Sequence, residues 1–216
     1  MSRFITSPNA QGTPEWFADR MGMVTGSTAK SALARSKIAG AGMRVDLMMD
    51  LALQNITKVQ PEEGYKSQEM LWGNEQEPHA RMAYELRTGL DVSESGFVYL
   101  ASGVKAGCSV DGFVVDGGRK GFTEFKCPKS KTHWGYIVNG AAPSEYATQI
   151  THNFWITGYD FCDFMSFDPR MPEKLREFHI RIERDEAAVK AHEAGVLQFL
   201  EELAELETMM RARAGM

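Results

Sequence analysis

The apolar positions of this 216-residue chain change period several times, and each change marks an element. Helical spacing of three and four residues runs through 27–34, 44–57, 66–88, 144–156 and 185–213. Alternating or continuous β-prone apolar segments occupy 96–101, 105–115, 121–127, 161–167 and 177–183. Helices interleaved with strands predict an α/β fold, a central mixed β-sheet covered by helices on both sides. In the last helix Val196, Leu200, Leu203, Leu206 and Met210 make one apolar stripe. Such a stripe suits packing on the chain's own core first and contact with another subunit second.

Asp111 to Lys126 reads as a β-hairpin. The polar Asp-Gly-Gly-Arg-Lys-Gly stretch at 116–121 divides two apolar arms, so Val115 is expected opposite Phe122. That register sets Asp111 against Lys126 and Phe113 against Glu124, and alternation turns Asp111, Glu124 and Lys126 to one face. Asp111 and Glu124 then share a diagonal of roughly 7–8 Å, short enough for two carboxylates to converge on one cation. Two acids without a soft ligand suit a hard divalent ion such as Mg²⁺, which keeps places for water and phosphate. A lysine beside it adds charge stabilisation, and the trio is the equipment of a metal-dependent phosphodiesterase. The plain alternative is a turn-forming Asp-Gly pair and a Glu-x-Lys on a solvated strand face.

Composition narrows the field. With 43% apolar residues and no Pro/Gly/Ser linker, residues 1–216 are expected to form a single domain with a long C-terminal helix. No apolar run approaches membrane-spanning length and the start lacks a signal-type stretch, so a cytoplasmic protein without a membrane partner is expected. Cys108, Cys127 and Cys162 form no Cys-x-x-Cys pair, against a disulfide framework, a structural zinc site or a four-cysteine cluster. The net charge of −5 hides an uneven distribution, with Arg119, Lys120, Lys126, Lys129 and Lys131 near the hairpin and many acids in 183–207. A basic hairpin beside an acidic distal helix is compatible with DNA at one surface. Five histidines show no metal-pair spacing, and Gly40-Ala-Gly42 lacks a phosphate-loop ending.

The segments around the hairpin carry a resemblance. Trp16 to Ser27, Trp72-Gly-Asn-Glu-Gln-Glu77-Pro-His-Ala-Arg81, Cys108-Ser109-Val-Asp111-Gly, Glu124-Phe-Lys126-Cys-Pro128, Tyr146-Ala-Thr-Gln149, Phe167-Asp-Pro-Arg-Met171 and Ile182-Glu-Arg-Asp-Glu186 occur in this order. Together they resemble the bacteriophage lambda exonuclease family, which is built on a restriction-endonuclease-like core. The resemblance implies a 5′-to-3′ exonuclease of phage recombination that degrades one strand of duplex DNA from its ends and leaves 3′ tails for annealing. Asp111 and Glu124 match metal-binding acids, which with the Phe125 main-chain carbonyl imply Mg²⁺, two ions per site, replaceable by Mn²⁺. Lys126 matches the catalytic lysine, Glu77 a further active-site acid and Gln149 an active-site glutamine. Arg20, Ser27 and Ser109 match positions that hold a 5′-terminal phosphate. Trp16, beside Arg20, is a candidate contact to the duplex end. An arginine that the family places after Lys-Cys-Pro is represented by Lys129 or Lys131, and another by Arg35 or Lys37. A homotrimeric ring and a single-strand annealing protein partner are implied as well.

Taken without the resemblance, Glu77 reads first as a surface ion pair with Arg81 and Gln149 first as a helix-surface amide. Two rival functions stay open: a site-specific endonuclease on the same core, and a DNA-end-binding module that has lost catalysis.

Overall fold

The computed structural model describes residues 2–34, 40–60 and 67–216; Arg35 and Lys37 lie outside them. Among the described residues eight strands fall into two four-stranded mixed sheets. The first contains β1 (Phe4–Thr6), β2 (Val24–Thr25), β3 (Val98–Leu100) and β4 (Ala106–Cys108), in the order β1-β3-β4-β2. The second contains β5 (Gly112–Asp116), β6 (Arg119–Lys126), β7 (Phe161–Phe167) and β8 (Glu177–Glu183), in sequence order. The single arm expected at 105–115 is therefore broken between the sheets. Ser109, Val110 and Asp111 make the passage from one to the other.

The helices are α1 (Pro14–Asp19), α2 (Ala29–Ala32), α3 (Gly40–Thr57), α4 (Gln68–Thr88), α5 (Ser130–Asn139), α6 (Ala147–Thr157) and α7 (Glu186–Ala214). One face of the second sheet packs under α4 through Ala80, Tyr84, Val114, Phe125, Phe161 and Met165. The other joins the main core, where α6 contributes Ile150, Phe154, Trp155 and Ile156 and α7 contributes Val189, Val196, Phe199 and Leu203. With both faces covered, β7 is buried at every position, which explains why Phe161, Cys162, Phe164, Met165 and Phe167 follow no alternation of apolar with exposed polar residues. The α7 stripe is largely used in this core: Val196 and Leu203 are buried, and Leu200, Leu206 and Met210 pack against it.

The hairpin register differs from expectation by two residues. Asp116 pairs with Arg119 and Phe113 with Phe122, closing the turn on Gly117 and Gly118 alone. Both glycines have positive φ, 57° and 86°, as a two-residue turn with the twist of the flanking strands requires. The six polar residues are thus mostly strand. A slip of two preserves the side-chain faces, so Asp111, Glu124 and Lys126 stay together; a slip of one would have separated them.

Helix α5 shows tertiary contacts overriding weak propensity. Thr132, Gly135, Ile137 and Val138 are poor helix formers, and the segment carries no clear helical signal in sequence. It is pinned by His133, fully buried, whose Nδ1 lies 2.7 Å from Ser166 Oγ and Nε2 2.8 Å from the Leu175 carbonyl. No helix among the described residues is long and apolar enough to cross a membrane.

Candidate active site

Strand β6 ends at the site, and it is held there from both sides by β5 and by the parallel neighbour β7. Glu124 is 1% exposed. Its Oε1 accepts from Lys126 Nζ and from Gln149 Nε2 at 2.6 Å, and Asn153 Nδ2 stands 3.5 Å from Oε2. Gln149 and Asn153 are four residues apart on α6 and so share a face, which fixes the carboxylate from one direction. The Lys126 ammonium also donates to the Phe125 carbonyl at 3.2 Å and lies 5.2 Å from the centre of the Tyr146 ring. It marks a point where a carboxylate and a main-chain oxygen converge on positive charge. Asp111, just before β5, accepts from the main-chain N–H of Phe125, which ties the two strand ends together.

Charge at this point is undercompensated. Burial first, and then Glu124, push the Asp111 carboxyl well above the usual carboxylate range. Burial also raises Glu77, against the pull of Lys126 and with a further push from Glu124. For Lys126, burial works to lower the ammonium's pKa, but Glu124 and Asp111 outweigh it and hold it above its ordinary value. Asp111, Glu124 and Glu77 set three carboxylates against one ammonium, a deficit of two positive charges when all ionise. A hard divalent cation matches that deficit, and the donors are all oxygens. Among the described residues no three His, Cys, Asp or Glu side chains form a ready-made cage. Two carboxylates and a carbonyl instead suit an ion that retains water and phosphate ligands.

Two clefts meet here. One, of about 860 Å³, is lined by Trp72, Glu77, Lys126, Lys129, Tyr146 and Arg170 among others. The second, of about 680 Å³, is lined by Trp16, Arg20, Glu77, Arg81 and Asp111 among others. Met70, Asn74, Glu77 and Phe125 line both, so a groove crosses the carboxylates with Arg20 towards one end and Arg170 towards the other. Glu77 is accordingly a cleft residue of α4 rather than one half of a surface pair; Arg81 pairs with Glu94 instead.

Of the two arginines that line the second cleft, Arg81 is ion-paired and Arg20 is not. Burial lowers its pKa to about 10, and no described carboxylate lies within ion-pair distance of it. Its guanidinium stacks on Trp16, 4.0 Å from the ring centre, while Trp16 is 5% exposed. The indole therefore supports Arg20 and itself lines the second cleft, with little of its own surface exposed. Ser27 is exposed and Thr28, not Ser27, is the N-cap of α2. Thr25 pairs with Gly107 in the parallel β2–β4 pair, so Ser27 and Ser109 leave the same end of it, each two residues on. Neither is hydrogen-bonded to Arg20 among the described residues, and Ser109 Oγ is buried without a partner. Gly26 explains how this loop reaches α6. A Cβ there would approach Asn153 Oδ1 to 2.8 Å and Gln149 Cγ to 3.2 Å.

Two placements depart from expectation. Lys131 is exposed on α5 and is absent from the lining of both clefts, whereas Lys129 lines the first and pairs with Glu69 at 2.7 Å. Arg119 is ion-paired with Glu183 and stands seven residues from Lys126 along β6, roughly 23 Å away at strand rise, so the basic hairpin is not one continuous patch. Asn153 and Arg170 went unrecognised as site residues; Asn153's position four after Gln149 was the available signal for the first.

A sequence profile of the YqaJ-like viral recombinase domain matches residues 15–160. This chain belongs to the YqaJ-like viral recombinase family. It is similar to the alkaline exonuclease LHK-Exo from Laribacter hongkongensis, at 36% identity and a TM-score of 0.82 over 94% of this chain and 98% of that one. The structure of LHK-Exo in complex with dAMP matches at 35% identity and a TM-score of 0.84, with the same shares covered. A phage-related exonuclease from Haemophilus somnus 129PT, at 17% identity and a TM-score of 0.61 over 87% of this chain and 96% of that one, shares the fold. Comparison with curated protein sequences gives no match. Family membership and these relatives support a DNA exonuclease role, and the profile spans Arg20, Glu77, Asp111, Glu124, Lys126 and Gln149.

Proposed function

We propose that this recombinase-family chain is a 5′-to-3′ exonuclease that shortens one strand of linear duplex DNA and leaves a 3′ single-stranded tail. The observation that carries the reading is the groove: an uncompensated Arg20 towards one end, Glu77 and the undercompensated Asp111 along its wall, and the buried Glu124 hydrogen-bonded to Lys126, which lines it. A guanidinium without an acid partner suits a 5′-terminal phosphate, and the orphaned Ser109 hydroxyl, with Ser27 at the same strand end, supplies donors nearby. A terminal phosphate seated there leaves the next phosphodiester to the acids. The dAMP held by LHK-Exo supports release of single deoxynucleotides.

Asp111, Glu124 and the Phe125 carbonyl would hold Mg²⁺, two ions per site with Mn²⁺ able to substitute, supplying Lewis acidity and a lowered pKa for bound water. Gln149 and Asn153 hold Glu124 in one orientation. Lys126, kept charged by its acidic neighbours, stabilises negative charge building on the phosphate. Glu77, raised by burial, faces the same cleft and is placed to hydrogen-bond water or phosphate oxygen.

Long resection favours a chain that stays on its substrate, and we read a homotrimer in a bacterial cytoplasm, with a single-strand annealing protein taking up the tail. The α7 stripe lends this no support. An apolar row on α3 does: Val45, Met49 and Leu53, four residues apart, are 61%, 41% and 43% exposed. Sedimentation equilibrium tests the assembly, and a mass near 24.1 kDa rejects it. The activity is tested by incubating a linear duplex and a closed circle with Mg²⁺. Loss of the linear form alone is expected, faster from a 5′-phosphate than a 5′-hydroxyl; nicking of the circle would mean an endonuclease, and neither a binding module.

A further inference from the structure

The Arg170 turn leaves the sheet at the same edge as the catalytic lysine. Strands β6 and β7 are parallel and pair Lys126 with Ser166, so the chain that follows Phe167 emerges beside the site. Asp168 there is fully buried and grips Arg170: Nε donates to Oδ1 at 2.7 Å, Nη2 to Oδ2 at 3.1 Å, and the main-chain N–H to Oδ1 at 3.0 Å. Nη2 also donates to the Pro128 carbonyl at 3.0 Å, and the guanidinium carbon lies 4.4 Å from the centre of the Trp72 ring. Neutralising Asp168 and clasping Pro128 uses Nε and Nη2. Nη1 has no partner among the described residues, the side chain is 45% exposed, and it lines the first cleft with Glu77 and Lys126.

A guanidinium held on one edge by a buried carboxylate and on its face by an indole has lost most of its rotamer freedom before any ligand arrives. Its remaining donors suit a phosphate oxygen. Arg20 lies towards the opposite end of the groove, with the carboxylates between. If the 5′ terminus sits at Arg20, the strand passes the acids and continues towards Arg170.

We propose that Arg170 is a phosphate-positioning residue, its Asp168-held guanidinium gripping a phosphodiester of the cleaved strand on the 3′ side of the scissile bond. The proposal rests on the exonuclease reading above. Trp72 acts through Arg170 by fixing its plane. The contact sets how far the strand advances between cuts and contributes to substrate binding rather than to bond breaking.

The test uses full-length protein, Mg²⁺ and linear duplexes carrying one uncharged methylphosphonate at successive linkages. Digestion of the unmodified duplex by the wild-type protein is scored first; its absence rejects the exonuclease reading itself and is recognised before Arg170 is tested. For wild type, one linkage 3′ of the cut should raise KM about tenfold. Arg170→Gln should raise KM on the unmodified duplex similarly, ignore that linkage, keep kcat within about twofold, and lower the slope of log KM against log salt by about one. Arg20→Ala should stay sensitive to the same linkage. The proposal is overturned if no linkage separates wild type from Arg170→Gln, if the sensitive linkage lies on the complementary strand, or if kcat falls at constant KM. Should Arg170→Gln not fold by circular dichroism, Arg170→Lys keeps a charge for Asp168 but loses the fork. A KM for Arg170→Lys equal to wild type then overturns it equally, and a KM raised several-fold supports it.

Discussion

Two buried acidic centres lie on neighbouring strands of one sheet, and they differ in how their charge is met. On β7, Asp163 is fully buried; Arg181 donates to both its oxygens at 2.8 and 2.7 Å, the Tyr84 hydroxyl donates at 2.7 Å and His179 Nε2 stands 3.3 Å away. Burial works to raise Asp163, but these partners outweigh it and hold the carboxyl well below the usual range. On β6 and the adjoining end of β5, Glu124 and Asp111 share one lysine, and Asp111 is pushed the other way. Both centres combine buried carboxylates with a basic group, and type alone does not separate them. A completed ion network holds the fold; the incomplete one carries the proposal that a cation and phosphate complete it.

The comparison is broken most directly by exchanging acids for amides. Asp111→Asn or Glu124→Gln should lower single-turnover cleavage of a labelled linear duplex by about 10³-fold or more, whereas folded Asp163→Asn should cleave near the wild-type rate. A near-wild-type rate in either site variant would remove the assignment. Stability should run the other way. Asp163→Asn leaves Arg181 without its main partner and is expected to cost about 3–5 kcal/mol in urea denaturation. Asp111→Asn retains an acceptor for the Phe125 N–H and should raise Tm in EDTA by roughly 2–4 °C.

Metal should more than erase that gain. Saturating Mg²⁺, at about a hundred times its Kd, is expected to stabilise the wild-type protein by about 2.7 kcal/mol and Asp111→Asn far less, as read by the shift in Tm. Arg20→Ala sharpens the contrast between binding and chemistry: most of the 5′-phosphate over 5′-hydroxyl rate ratio should vanish, with internal phosphate contacts unaffected.

The smallest effect concerns a third buried pair, neutral rather than charged. His152 Nδ1 lies 2.9 Å from His192 Nε2, and burial lowers the two rings to about 3 and about 4. The unfolded chain therefore binds more protons than the folded one below an ordinary histidine value of about 6.5. Stability from this pair is complete above that pH and is lost as pH falls towards 4. The decline in Tm over that interval should be shallower in His192→Gln, which keeps a polar partner for His152.

Much of this was legible in sequence. Strands β7 and β8 and the long helices α4 and α7 follow from unbroken or periodic apolar runs, and the three central residues share a face whichever even register the hairpin takes. What escaped was set by distant contacts. The break at Ser109–Asp111 exists because two sheets compete for one arm, the helicity of α5 depends on buried His133, and Lys129, not Lys131, reaches the cleft. Arg170 was visible within Phe167-Asp-Pro-Arg-Met171, but only the parallel pairing of β6 with β7 brings it beside Lys126.

The Gly117–Gly118 turn works as a reading frame for the active site. β6 is anchored by β7, so a change in turn length must be absorbed by β5, where each single residue gained or lost exchanges inside for outside. Removing one glycine would carry Asp111 to the far side of the sheet while leaving every chemical group present; removing or adding two could be accommodated by the exposed tip. Descendants of this chain should therefore vary the length of the hairpin in even steps, although the tip lies a full strand away from the bond being cut.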